Sequence, residues 1–459
     1  MDSSTHTRVR GAIVGVLILL CTLIAQPATA AKTRKVNVLL RSDITASMRA
    51  ELGRYGSIKA ELPQVDAVLM QVKEDLVDDV SALAFVAAVS PDAERNGVPI
   101  DTVAATNFTN GLSTWDLDAI NVTDIGAGRQ LTENGDGVYV AILDTGLLYS
   151  WRQYFPQERI ATQYAKSFGG GGSENANVSE QPNKWEHDTN SHGTHVTSTI
   201  LGYSLNGTPI NGMAPMATVI PVKVLGNSGS GSSGMVAQGI VYVADLKAGP
   251  LAGSPVVINM SLGGDELDAV EQAAIDYAIG KGVIIVASAG NEGAAGMGYP
   301  GAYGPVISAA ASGWVGEWIP NNSWWLVGNV ADPTNAADFY ITDFSSRALA
   351  GQDLDVAAPG SWVVGPYQTQ QGKTSYFFVG GTSMASPHVA GTVALMAQKA
   401  PGLTAGTAEA ILEGSSVPLA AGCRNVLPAP GVPAAEICWG TDATGSGLVD
   451  AAAAVAATP

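Results

Sequence analysis

Between residues 138 and 413 apolar strands alternate with helical patterns, and this alternation constrains the chain more than any other feature. Val138–Asp144 (VYVAILD), Ala217–Leu225, Val256–Leu262, Val283–Ser288 and Val306–Ala311 are predicted strands. Helical patterns fall at His192–Tyr203 and near 233–247, 267–280, 383–400 and 404–413. Alternating β and α units predict a mostly parallel sheet covered by helices. Such sheets collect their chemistry at the carboxyl ends of the strands.

Three motifs fall where that rule puts a site. Asp144-Thr145-Gly146 directly follows the strand VYVAIL, placing a carboxylate where it can orient an imidazole. The same tripeptide serves aspartic proteases, but their two-carboxylate mechanism needs a partner and no second Asp-Thr-Gly occurs. Ser191-His192-Gly193-Thr194-His195-Val196 puts two histidines at i,i+3 on a predicted helix. They suit a metal pair or a general base beside a structurally packed histidine; His-Glu-x-x-His is absent. Gly380-Gly381-Thr382-Ser383-Met384-Ala385-Ser386-Pro387-His388-Val389-Ala390-Gly391 places a serine after glycines, opening a helix rich in small residues. An N-cap serine has that pattern. So does a nucleophile at a helix N-terminus, where developing negative charge is favoured.

Taken together and in this order, Asp, His, Ser, the motifs resemble those of the subtilisin-like serine proteases, the subtilases. The resemblance runs from WDLDAINV at Trp115 to GSGLVDAAAAV at 445–455. It implies an α/β subtilisin-like fold, a parallel sheet flanked by helices, preceded by a small ferredoxin-like α+β propeptide. It implies hydrolysis of peptide bonds with Ser383 as nucleophile, His192 as general base and Asp144 as its orienter. Asn291, in Ala289-Gly290-Asn291-Glu292-Gly293, corresponds to the oxyanion-hole donor. Ser261, Leu262 and Gly263, with Gly264, resemble the segment that pairs with an extended substrate. Gly298 matches the floor of the pocket for the residue before the cleaved bond. A glycine there predicts a preference for large apolar or aromatic residues, with Glu292 at the rim able to accept a basic one. No catalytic cofactor is implied. Asp353 and Asp355, with Gly301, Tyr303 and Val306, resemble a calcium site of hard oxygen ligands. The aspartate of the family's stronger calcium site has no counterpart in Trp151–Gln157 (WRQYFPQ). Other departures are Thr197-Ser198 after HGTHV, an insertion between 313 and 340 with Trp314, Trp318, Trp324 and Trp325, and the Cys423–Cys438 segment. Local packing is the expected role of the tryptophans; a partner or substrate patch is the other.

The N-terminal region fits an exported precursor. Arg8 and Arg10, the apolar run Ala12–Ala25 and Ala28-Thr29-Ala30 form a secretory signal peptide pattern, too short to span a bilayer. Residues 31–96 hold nine Lys and Arg against ten Asp and Glu, so the whole formal charge of −18 belongs to 97–459. Within 31–96 the predicted order is βαββαβ, with the second helix over Asp75–Leu83. The expected organisation is residues 1–30 signal peptide, 31–96 inhibitory and chaperone propeptide, 97–114 linker and maturation region, and 115–459 catalytic domain. So acidic a chain is not expected to bind nucleic acid, nor a membrane once the signal is removed. Its partners would be protein or peptide substrates and its own propeptide, with the enzyme a monomer, extracellular or periplasmic. Cys423 and Cys438 remain after signal removal and are expected to form a disulfide in an oxidising compartment. Asn107, Asn121 and Asn177 matter as sequons only in a glycosylating host. The expected function is a broad secreted serine endopeptidase. The alternatives are a catalytically silent binding protein on the same fold and a processing protease of narrow specificity.

Overall fold

The computed structural model describes residues 32–96, 108, 110–168, 184–319, 323–368 and 375–459. The expected signal peptide, most of the 97–114 linker, and Asn107 and Asn177 lie outside the described residues. The chain divides into two units, residues 1–32 and 33–459, and every helix and strand among the described residues belongs to the second.

Its first elements are β1 (Thr33–Leu40), α1 (Ala46–Tyr55), β2 (Gly56–Leu62), β3 (Ala67–Lys73), α2 (Val77–Ser81) and β4 (Val86–Pro91). They form a four-stranded antiparallel sheet in the order β2-β3-β1-β4. Val36, Val38 and Leu40 alternate along β1 and bury against Leu52 of α1 and Val80 of α2. The second helix is shorter than Asp75–Leu83: a 3₁₀ turn over Glu74–Leu76 precedes five residues of α2. Asp75, Asp78 and Asp79 stand at i,i+3 and i,i+4, where like charges oppose a longer helix. The other face of the sheet contributes Leu62, Ala67 and Leu69 to a core shared with the larger part of the unit. Beyond β4, β5 (Glu94–Asn96) leaves this sheet altogether.

The larger part contains β6 (Tyr139–Asp144), β7 (Lys166–Ser167), α3 (His192–Leu201), β8 (Thr218–Lys223), β9 (Ser230–Ser232), α4 (Ser233–Ala248) and β10 (Val256–Met260). It continues with α5 (Ala269–Gly280), β11 (Val283–Ser288), β12 (Ile307–Trp314), β13 (Phe339–Ile341), β14 (Val356–Pro359), α6 (Thr382–Lys399) and α7 (Ala405–Ser415). A hairpin of β15 (Gly422–Val426) and β16 (Ala435–Trp439) precedes α8 (Ala451–Ala457). The main sheet runs β13-β12-β11-β10-β6-β8-β7, with β14 beside β12; its pairs are parallel except β12 with β13. Consecutive apolar residues serve two cores. Val140 and Ile142 of β6 join one with Val196, Ile200, Val389 and Val393, whereas Ala141 and Leu143 join the other with Val236, Ile240 and Val270. A sheet covered on both faces needs apolar side chains at odd and even positions alike.

Helix α6 runs through the core, buried from Thr382 to Ala397. Its small residues permit this: a Cβ on Gly391 would stand 2.3 Å from Cβ of Met213. Helix α3 ends two residues before the predicted boundary, because Gly202 turns the chain at φ 75° and Tyr203 opens a short strand. The inserted tryptophans pack inward: Trp314 and Trp324 are buried, Trp115 and Trp314 stack at 6.5 Å, and Trp318 meets Phe378 at 4.6 Å. Cys423 and Cys438 oppose each other across the hairpin and are disulfide-bonded. Among the described residues no helix is long and apolar enough to cross a membrane.

Candidate active site

Strand β6 delivers Asp144 to the carboxyl edge of the sheet, opposite Lys223 in the register with β8. Asp144 is fully buried, and both its oxygens lie 2.9 Å from Nδ1 of His192 at the start of α3. The Thr145 N–H donates to Asp144 Oδ1 at 2.6 Å, and the Gly193 N–H donates to Thr145 Oγ1 at 3.0 Å. Ser191, just before His192, has φ 84°, a left-handed conformation that a non-glycine residue adopts at a cost. It is held there by Asp188 Oδ2, which accepts from the Ser191 N–H at 2.6 Å and from Thr145 Oγ1 at 2.9 Å. Burial pushes the Asp188 carboxyl above its ordinary range, against the pull of Lys223. Lys223 donates from Nζ to Thr145 O and Asn227 Oδ1, bracing the same turn from beneath.

The second histidine of the motif is separate. His195 Nε2 lies 3.2 Å from Val363 O, and burial, reinforced by His192, holds its pKa down at about 3. It is therefore neutral at ordinary pH and packed into the structure. His192 Nε2, by contrast, is buried with no hydrogen-bond partner among the described residues.

Ser383 stands in the first turn of α6 and is 7% exposed. Four residues on, Pro387 lacks the N–H that would bond the Ser383 carbonyl within the helix. That carbonyl accepts instead from Ser261 Oγ at 2.7 Å, tying α6 to the end of β10. Ser383 Oγ in turn donates to Ser261 O at 3.2 Å. Asn291 follows β11. Its Oδ1 accepts from Thr382 N–H at 2.9 Å and from Thr382 Oγ1 at 3.0 Å, leaving Nδ2 without a protein acceptor among the described residues. Ser383, Asn291, Leu262, Gly263, Gly298 and Glu292 line one cavity. Its walls are pinned by Gly264 N–H to Tyr299 O at 3.0 Å and Tyr299 N–H to Gly264 O at 2.7 Å.

The N-terminal sheet borders the same cavity through Pro91–Glu94. Asp92 Oδ1 accepts from the Gly234 N–H at 2.9 Å at the start of α4, and Ser90 Oγ accepts from the Ala269 N–H at 3.3 Å at the start of α5. Both satisfy donors that a helix N-terminus leaves open. Strand β5 lies antiparallel to β9, with Arg95 opposite Gly231.

Asp353 and Asp355 lie elsewhere, at the entry to β14, where their carboxylates approach that of Glu409 on α7. Asp355 Oδ2 accepts from the Ser308 N–H at 2.6 Å and Ser308 Oγ at 2.7 Å, while its Oδ1 is buried without a partner. No sequence motif contains Glu409, Asp188 or Lys223, and Thr145 and Thr382 stand inside motifs that do not reveal which side chains they bind. Lys223 does carry a signal, as the one charged residue in Ala217–Leu225.

Residues 135–445 match the Subtilase family of peptidases (Peptidase S8). Thermitase of Thermoactinomyces vulgaris is 34% identical over 282 residues, 61% of this chain and 82% of thermitase. Subtilisin Savinase of Lederbergia lenta is 36% identical over 267 residues, 58% and 78% of the two chains. The solved structure of fervidolysin from Fervidobacterium pennivorans, a keratinolytic enzyme related to subtilisin, is similar in fold, with TM-score 0.64 at 24% identity. That similarity covers 94% of this chain, which spans 62% of fervidolysin. Sphericase superposes with TM-score 0.51 at 27% identity, covering 75% of this chain and 99% of sphericase.

Proposed function

The chain belongs to the subtilase family and is a subtilisin-like serine endopeptidase, and from that premise we propose that Ser383, His192 and Asp144 are its catalytic triad. The observation that carries this is the buried Asp144–His192 pair, its free Nε2 at the base of α3, on a fold whose open groove holds Ser383 and Asn291. In the reaction Ser383 Oγ releases its bond to Ser261 O and attacks the scissile carbonyl carbon. His192 Nε2 takes the hydroxyl proton and returns it to the leaving amine. Asp144 holds Nδ1–H and stabilises the imidazolium. The tetrahedral oxygen carries the new negative charge, and Asn291 Nδ2 and the Ser383 N–H, at the helix N-terminus, receive it. Thr382 keeps Asn291 oriented, so the donor is in place before charge develops.

Substrate enters as a strand against Ser261–Gly264, a contact made to backbone and therefore broad in sequence. Gly298 leaves the pocket floor open to large apolar or aromatic side chains, and Glu292 at its rim admits a basic one. The enzyme is made as a secreted precursor: residues 1–30 direct export, 31–96 assist folding and block the groove, and cleavage falls within 97–114. Asp355, Asp353 and Glu409 form a calcium site; the buried, unpartnered Oδ1 of Asp355 and the all-oxygen donor set fit a hard cation. Calcium there holds β14 to α7 and takes no part in the chemistry.

Intact mass of the secreted protein, wild type beside Ser383→Ala, tests the assignment. Wild type is expected to lose its N-terminal segment while Ser383→Ala stays full length until a trace of active enzyme is added. Equal processing of both would refute self-cleavage by Ser383.

A further inference from the structure

Arg95 is an arginine with no solvent exposure. It belongs to β5, the strand that the N-terminal segment adds to β9 beside the groove of Ser383. Its neighbour Glu94 is exposed, whereas the Arg95 side chain turns inward and meets Glu271 on α5. Nη2 donates to Glu271 Oε2 at 2.6 Å and Nε donates to Oε1 at 3.3 Å, the two-point fork that a guanidinium makes with a carboxylate. Nη1 donates to Glu94 O at 2.8 Å and Nη2 to Glu266 O at 3.4 Å. Gly264 makes the space: a Cβ there would stand 2.7 Å from Nη1 and 2.3 Å from Glu94 O.

Glu271 is 1% exposed, and among the described residues only Arg95 donates to its carboxylate. A buried carboxylate without its cation is costly. An acid in the first turn of α5 suits the helix dipole, but that turn does not require its carboxylate to be buried. The strand bearing the arginine is also the one that must leave if a substrate strand is to lie on β9.

Accepting the endopeptidase reading, we infer that Glu271 is the floor of an arginine-selective substrate subsite, which Arg95 fills in the uncleaved chain. A substrate strand that replaces β5 in the same register sets one side chain onto Glu271, and arginine alone satisfies both oxygens and the Glu266 carbonyl together. Lysine supplies the charge without the fork. An apolar residue leaves the carboxylate unpaired. The N-terminal segment thus presents the enzyme's preferred residue at this position, and it is displaced best by peptides that carry an arginine there.

The test uses the matured enzyme on a mixed peptide library, with cleavage sites read by mass spectrometry. Wild type is expected to show arginine enriched at one fixed distance from the cleaved bond. In a peptide series varied only at that position, kcat/KM for arginine should exceed that for leucine by about 30-fold or more, with lysine between them. In Glu271→Leu the arginine-to-leucine ratio should invert, and in Glu271→Gln it should fall most of the way to unity. A wild-type profile with no arginine-enriched position overturns the subsite, and so does enrichment unchanged in Glu271→Leu. The wild-type series stands alone if a variant fails to mature. Absence of any cleavage by wild type would overturn the endopeptidase reading itself, whereas cleavage without arginine preference removes only the subsite.

Discussion

Asn291 shows how a single side chain is aimed by its neighbour. Both Thr382 donors hold its carbonyl oxygen, so its amide N–H groups face the groove. Asn291→Ala is expected to lower kcat by about 10²–10³ with little change in KM, because the lost donor acts on charge present only in the transition state. Steady-state kinetics on a peptide substrate check this; a loss confined to KM would assign Asn291 to substrate binding. Asp144, His192, Ser383 and Asn291 are singled out as candidates by the sequence because each sits in a contiguous motif of recognisable chemistry. The contacts that link Thr145 to Asp188 and Lys223 are not legible there, since they are made across gaps of 43 and 78 residues.

At the level of elements, proline, glycine and buried acid each fix how one segment meets another. Pro387 frees the Ser383 carbonyl for Ser261, and Gly391 lets α6 approach Met213. The tryptophan-rich segment closes over Glu317, which accepts from the Trp314 N–H, Tyr340 Oη and Ser361 Oγ. Burial, opposed by these three donors, pushes the Glu317 carboxyl up to about 7. A carboxyl raised in the folded state binds its proton more tightly there than in the unfolded chain. The stability it contributes is full below its unfolded pKa of about 4.5 and is lost as pH rises through 7. In a Ser383→Ala background, the melting temperature relative to Glu317→Gln should therefore rise by a few degrees from pH 8 to pH 5.5. A difference independent of pH would mean that Glu317 titrates normally. The tryptophans meet their expected local packing, while the second helix of the N-terminal sheet falls short of its predicted length because apolar spacing says little about repulsion between neighbouring aspartates.

Across the whole molecule, distant segments are joined by buried charge at two places, a carboxylate cluster and an ion pair. Asp353 and Asp355 at β14 face Glu409 on α7, and three carboxylates at such close quarters repel unless a cation or protons intervene. Removing calcium with a chelator is expected to lower the melting temperature by several degrees, and Asp355→Asn should abolish that sensitivity; a melt unaffected by the chelator would refute the site. The ion pair joins Arg95 to Glu271 across 176 residues of sequence. The amino-acid sequence by itself determined the order of the five central strands β6, β8, β10, β11 and β12 and of helices α3 to α7, the two-sided burial of the parallel sheet and the order of the three motifs, because periodicity and contiguous motifs are local properties; the short strands β7, β13 and β14 carry no such period. Only the tertiary structure decided that β5 leaves its own sheet for β9, that Pro387 serves Ser261 and that Glu271 underlies Arg95. Each of these depends on which buried donors and acceptors meet once the chain has closed, and a buried charge selects its partner through space.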